Sequence, residues 1–143
     1  MTTPRALALL AGLALLAGCG KAGPKRVPVS GSVIMDGKPL ARGEIFFMTP
    51  SGGKPPELLE VSEGKFAGLV TVGPKRVEVN SPLPVETKPG AVQMGPPLVL
   101  NLVHDDYNVN SKLTAEVTEA GLNPSSFDVK GNRNPAKGVL GPP

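Results

Sequence analysis

Glycine and proline interrupt this chain so often that a helical domain is excluded. Its 143 residues include 18 Gly and 17 Pro. Each proline in a helix interior costs about 3 kcal/mol and each glycine about 1 kcal/mol. Between the interruptions lie short stretches rich in β-branched residues, the pattern of a β-sandwich built from many short strands and tight turns. The expected fold is all-β, with seven or eight strands and no helix in the folded domain.

The two-residue period places those strands. In VPVSGSVIM, Val27, Val29, Gly31, Val33 and Met35 share one side, the alternation of a half-buried strand. Asp36-Gly37 follows as a tight turn. In EIFFM, residues 44–48, Ile45 and Phe47 face one way and Phe46 and Met48 the other; with both faces apolar, this strand should run through the middle of a sheet. Residues 49–56 read as a loop, residues 57–61 as a short strand and Glu63-Gly64 as a turn. The next strand passes through Phe66, Leu69 and Val70, and after a turn at Gly73-Pro74 another covers residues 76–80 with Val77 and Val79 inward. Residues 81–97 are rich in Pro, Gly and single charges; so long a loop in a compact domain is functional or disordered. Three further strands are expected at residues 98–103, 112–117 (Leu113, Ala115 and Val117 inward) and 126–130 (Phe127 and Val129 inward). The pentapeptide GPKRV occurs at residues 23–27 and again at 73–77. The similarity does not extend on either side, so each copy reads as a Gly-Pro turn launching a strand whose outward residues are basic.

The order VPVSGSVIMDGKPLARGEIFFMTP, EGKF, GPKRVEVNSP and YNVNSKLTAEVTEAGLNPSSFDVK resembles that of small planctomycete-type lipoproteins carrying a carboxypeptidase-regulatory-like, or transthyretin-like, domain. Val29, Gly31, Val33, residues 36–40, Gly43, Ile45 and Phe47 match the family's opening strands and turn; Tyr107, Asn108, Ser111, residues 113–117 and 127–130 match its closing pattern. The resemblance implies a β-sandwich of prealbumin or Ig-like type and export, and carries no catalytic residues. The chain departs from the family in reading LVHDDYN where a basic residue usually precedes the Tyr-Asn pair, and in its short Ser62-Glu63-Gly64 turn.

Upstream of that domain, Arg5 and the α-amino group form a positive head before the apolar run ALALLAGLALLA at residues 6–17. This run is too short for a bilayer core of about 30 Å, which needs roughly 20 helical residues; it has the anatomy of a helical signal peptide. Leu16, Ala17, Gly18 and Cys19 resemble the bacterial lipobox. That resemblance implies diacylglycerol on the Cys19 thiol, cleavage just before it, and a further acyl chain such as palmitate on the new amine. Several chains on one residue, each buried CH₂ contributing about 0.8 kcal/mol, give lasting attachment to a bilayer. Cys19 is the only cysteine, so no disulfide-linked partner is expected and burial alone must hold the domain. The expected organisation is a signal peptide at 1–18, a lipidated linker at 19–27, the sandwich at 28–130 and a disordered tail at 131–143.

The mature chain would carry 14 basic and 12 acidic residues, scattered rather than clustered, which leaves no nucleic-acid footprint. Lys21, Lys25 and Arg26 lie next to the anchor, within reach of anionic headgroups, but the segment reads better as a solvated tether. In HDDYNVNS, Asp106, Asn108 and Asn110 occupy positions 1, 3 and 5 of a calcium-loop template, but Ser111 stands where glycine is needed and Val117 where a bidentate Glu belongs. They read better as a turn using local backbone hydrogen bonds. His104 is the only histidine, so zinc would have to be completed by carboxylates. His104, Asp105 and Ser111 spell a triad on paper, without a G-x-S-x-G elbow. Tyr107 is expected to cap the core edge. No catalytic residue, metal or cofactor is therefore assigned. The expected function is a non-catalytic interaction module in the bacterial cell envelope, on the periplasmic or outer-membrane side. It would be anchored in the lipid bilayer through Cys19 and meet envelope proteins or polysaccharide with loops 49–56 and 81–97. A purely structural envelope component is the alternative, with carbohydrate or Ca²⁺ binding ranked below it.

Overall fold

The computed structural model describes residues 23–85, 90, 95 and 99–133; Cys19 and the residues before it lie outside that set. The strands are β1 (Arg26–Met35), β2 (Lys38–Pro39), β3 (Arg42–Met48), β4 (Glu57–Ser62), β5 (Lys65–Thr71), β6 (Gly73–Asn80), β7 (Pro82–Pro84), β8 (Val99–Asn101), β9 (Leu113–Thr118), β10 (Gly121–Asn123) and β11 (Ser126–Val129), with a 3₁₀ turn at Asp105–Tyr107. The fold is all-β, as the composition requires. There are more strands than the period reveals, because β2, β7, β8 and β10 have only two or three residues each and are too short to show an alternation.

One curled sheet runs in the order β10-β9-β6-β3-β4-β5-β1-β11, with β2 beside β1, and a separate hairpin pairs β7 with β8. Two features turn this sheet into a sandwich. Strands β4 and β5 share a single register pair, Ser62 with Lys65, so beyond that hairpin they separate into opposite layers. At the other margin, β10 and β11 are consecutive in the chain, joined through the cis Asn123–Pro124 bond and Ser125. One run of chain thus pairs first with β9 and then, in parallel, with β1. Strand β3 is bonded on both sides, to β4 and β6, which is the central position its two apolar faces predict.

The core follows the alternation. Val27, Val29 and Val33 of β1, Ile45 and Phe47 of β3, Val77 and Val79 of β6, and Phe127 and Val129 of β11 are all buried; each such side chain contributes about 1.5–3 kcal/mol. Phe66 bridges the layers, its ring centroid 6.0 Å from that of Phe47 and 6.2 Å from that of Phe127, both tilted. Both expected turns form with positive φ at each central residue, Asp36 at 51° and Gly37 at 80°, Glu63 at 50° and Gly64 at 73°, the geometry that matches strand twist in a hairpin. Gly64 is pinned as well. Its N–H donates to the Leu40 carbonyl at 2.7 Å and its carbonyl accepts from Val33 N–H at 2.9 Å, leaving no space for a side chain beside Pro39.

Along β5 the inward period is Phe66, Gly68, Val70; Leu69 faces outward and is 51 % exposed, and the Leu59 side chain occupies the space over Gly68. Two expectations are corrected. Residues 98–103 are not one strand. Asn101 Oδ1 accepts from both Ser81 N–H, at 3.0 Å, and Val103 N–H, at 3.1 Å, which turns the chain after β8 and sends buried Val103 to a bridge with Gly131. Strand β6 begins at Gly73 rather than at residue 76. Of the long loop at 81–97, Pro82–Pro84 pairs with β8, and residues 86–89, 91–94 and 96–97 lie outside the described set. At the C-terminal side, Gly131 N–H donates to Asp36 Oδ2 at 3.1 Å and Asn132 N–H to the Leu102 carbonyl at 2.6 Å. Residues 134–143 again lie outside the description.

Candidate functional site

The most concentrated polar chemistry sits where β4 and β5 part. Beyond the hairpin, polar groups of β5 that face the seam have no strand partner, and a buried backbone group left unpaired costs about as much as a lost hydrogen bond. Side chains take the partner's place. Thr71 N–H donates to both carboxylate oxygens of Glu57, each at 3.1 Å, and the Thr71 hydroxyl donates to Glu57 Oε2 at 2.7 Å. Arg26 Nη2 donates to the Leu69 carbonyl at 2.9 Å.

Lys75 completes this cluster from β6. Its side chain is 2 % exposed, and its ammonium donates to Glu57 Oε2 at 3.1 Å, to the Thr71 hydroxyl oxygen and to Thr49 Oγ1 at 3.4 Å. Three donors thus meet three acceptors, the condition under which a buried charge is tolerated. Arg26 Nε lies 3.4 Å from Glu57 Oε1, so each GPKRV copy delivers a cation to the same carboxylate. The expectation that both copies carry outward basic residues is thereby corrected for Lys75. The sequence did hold the signal: Lys75, Val77 and Val79 are in phase on β6.

Burial works to raise the Glu57 pKa. It is outweighed by the hydrogen bonds from the Thr71 hydroxyl, the Lys75 ammonium and the Thr71 N–H, together with the lysine charge, and the carboxyl is held below its ordinary value of 4.5. A carboxylate whose pKa is lower folded than unfolded contributes stability that is fully present above the unfolded pKa and is lost as pH falls through the folded one. Urea unfolding followed downward from about pH 7 should therefore weaken below about pH 4.5, with a shallower decline in Glu57→Gln. Equal slopes in the two proteins would remove Glu57 from the acid response. Chemically the cluster is closed: every group in it is held by another.

The segment 104–111 forms a compact turn. Asp106 N–H donates to His104 Nδ1 at 3.3 Å, and Asp106 Oδ2 lies 3.4 Å from the same nitrogen. The Asp105 carbonyl accepts from Asn108 and Asn110 N–H, and the Asn108 carbonyl from Ser111 N–H. The three residues of the partial calcium template, Asp106, Asn108 and Asn110, are thus organised by backbone hydrogen bonds, and the Asp106 side chain is 72 % exposed. Among the described residues no three His, Cys, Asp or Glu side chains are grouped to hold a metal ion. Ser111 is buried; its hydroxyl donates to the Val77 carbonyl at 2.6 Å and accepts from Leu113 N–H at 3.2 Å. That proton goes to a strand carbonyl rather than to His104, so the triad written from the sequence is not assembled. Tyr107 packs its ring against the core.

Two shallow grooves mark the outer faces. One, of about 600 Å³, is lined by Ser30, Ser32, Ser125, Glu60 and Lys65 among others; the second, of about 420 Å³, by Arg42, Glu44, Glu60, Ser62 and Pro82. Leu83 and Val99 are each about half exposed on the β7–β8 hairpin, on opposite faces of it by register. Phe47, Phe66 and Phe127 are buried, which leaves few rings for stacking on a sugar. Cys19, the predicted acylation site, lies outside the described residues. No protein-family model, curated protein or solved structure matches this chain.

Proposed function

We propose that this chain is a membrane-anchored lipoprotein of the bacterial cell envelope whose exported β-sandwich serves as a non-catalytic interaction module. The observation that carries this reading is the apolar run at residues 6–17 ending in Leu16-Ala17-Gly18-Cys19. The fold supports it: β1 starts seven residues after Cys19, and every strand of the described residues lies downstream. Cleavage before Cys19 removes none of these strands. The motifs shared with carboxypeptidase-regulatory-like lipoproteins are consistent with the same reading, since Val29 and Val33 of β1 and Ile45 and Phe47 of β3 supply core side chains.

A binding role without chemistry is supported by how the polar groups are committed. Glu57, Thr71 and Lys75 hold one another, and Ser111 holds strand β6. The exposed apolar hairpin and the scarcity of accessible rings favour protein over polysaccharide as partner. Wild-type protein should incorporate an alkyne-tagged palmitate in cells, while Cys19→Ser should lose the label entirely and retain residues 1–18. Label persisting in Cys19→Ser would overturn the anchor. Crosslinking in intact cells should then capture a reproducible protein partner; its absence would favour the purely structural component.

A further inference from the structure

We infer that the sandwich carries tension between the acylated Cys19 and the chain beyond β11, so that the module is also a load-bearing link. This inference rests on acylation of Cys19. The first and last strands of the described residues, β1 and β11, lie side by side and run parallel, with Ser32, Val33, Ile34 and Met35 opposite Ser126, Phe127, Asp128 and Val129. The chain therefore enters β1 at Arg26 and leaves β11 beside Met35, at opposite ends of a strand whose ten residues rise about 30 Å. A pull on those two ends drives β1 and β11 past each other along their length.

Such a load meets the whole ladder at once. Ladder hydrogen bonds run between strands and not along them, so sliding strains them together, whereas parting two strands from one end breaks them in turn. A slip of one residue would also turn Phe127 and Val129, 2 % and 3 % exposed, out of the core. Strand β1 has no free stretch from which to peel: Arg26 to Ser32 pair with β5 and Ser32 to Met35 with β11. Both ends are secured beyond these ladders. Before β1, the Lys25 carbonyl accepts from Val72 N–H at 3.0 Å, the Lys25 ammonium pairs with Glu119, and Arg26 Nη2 donates to the Leu69 carbonyl at 2.9 Å. After β11, the Lys130 carbonyl accepts from His104 N–H at 2.9 Å, Gly131 N–H donates to Asp36 Oδ2 at 3.1 Å, and Asn132 N–H donates to the Leu102 carbonyl at 2.6 Å.

The test pulls the full chain, with its Cys19 thiol unacylated, between DNA handles in an optical trap. In Arg133→Cys the handles sit at positions 19 and 133 and load β1 against β11. In Val72→Cys they sit at positions 19 and 72 and open β1 from β5 at the Lys25–Val72 bond, one pair at a time. Both substituted residues are exposed, so both proteins should fold. At one loading rate the unfolding force should be about fourfold higher for the 19–133 pair, because the four β1–β11 register pairs share the load instead of failing singly. Equal forces would overturn the tension-bearing role and leave the lipid anchor standing. A native protein without acyl chains by mass would overturn both, whatever the forces.

Discussion

Glu57→Ala is expected to destabilise the domain by about 3–5 kcal/mol, the range for a buried charge that loses its counter-ion. The ammonium of Lys75 would keep the oxygens of Thr49 and Thr71 but lose the carboxylate it meets at 3.1 Å. Thr71 N–H would lose both acceptors, adding an unsatisfied group at the seam. Lys75→Met should cost less, because the Glu57 side chain is 16 % exposed and lies near Arg26. Water and that guanidinium can then take over part of the lysine's role. The double variant Glu57→Gln with Lys75→Met should recover most of the loss, since the glutamine oxygen still accepts from Thr71 and no buried charge remains. A double-mutant cycle in urea should therefore show coupling of about 1 kcal/mol or more. Strict additivity would mean that the pair does not hold the seam.

Gly31→Ala should destabilise by about 3 kcal/mol, at the upper end of overpacking costs. A Cβ at this position would lie 2.2 Å from the Ser125 carbonyl oxygen and 2.4 Å from Cζ of Phe66. Neither neighbour is free to yield. The carbonyl accepts from Ser32 N–H at 2.8 Å, a bond that seats the layer-switching segment on β1, and the Phe66 ring packs on Phe47 and Phe127. Gly23→Ala is the control, with nothing within 4 Å of the added methyl and an expected change within about 0.5 kcal/mol. Indistinguishable urea midpoints for the two variants would contradict the packing assigned to the V-x-G-x-V strand.

The sequence made β1, β9 and β11 legible because each buries one face and leaves the other more open, so alternation and burial coincide, whereas β3 was legible from its two apolar faces. Asp36-Gly37 and Glu63-Gly64 were legible for a different reason: few residue pairs accept two consecutive positive φ angles. The Glu57 cluster was not legible as a unit. Its members come from β1, the β3–β4 loop, β4, β5 and β6, and nothing local says that β4 and β5 separate after one register pair. In residues 98–103, an asparagine side chain accepting two backbone N–H groups outweighed an otherwise continuous apolar run. The turn at 104–111 was placed correctly as a local backbone device, whereas the burial of Ser111 depends on Val77, 34 residues away.

The lipid anchor is the claim on which compartment, tension and partner class all depend. Its most direct test is the intact mass of the protein extracted by detergent from its native membranes. The predicted species begins at Cys19 and carries a thioether-linked diacylglycerol with one further acyl chain on the new amine. A mass that retains residues 1–18 and leaves the Cys19 thiol free would contradict it.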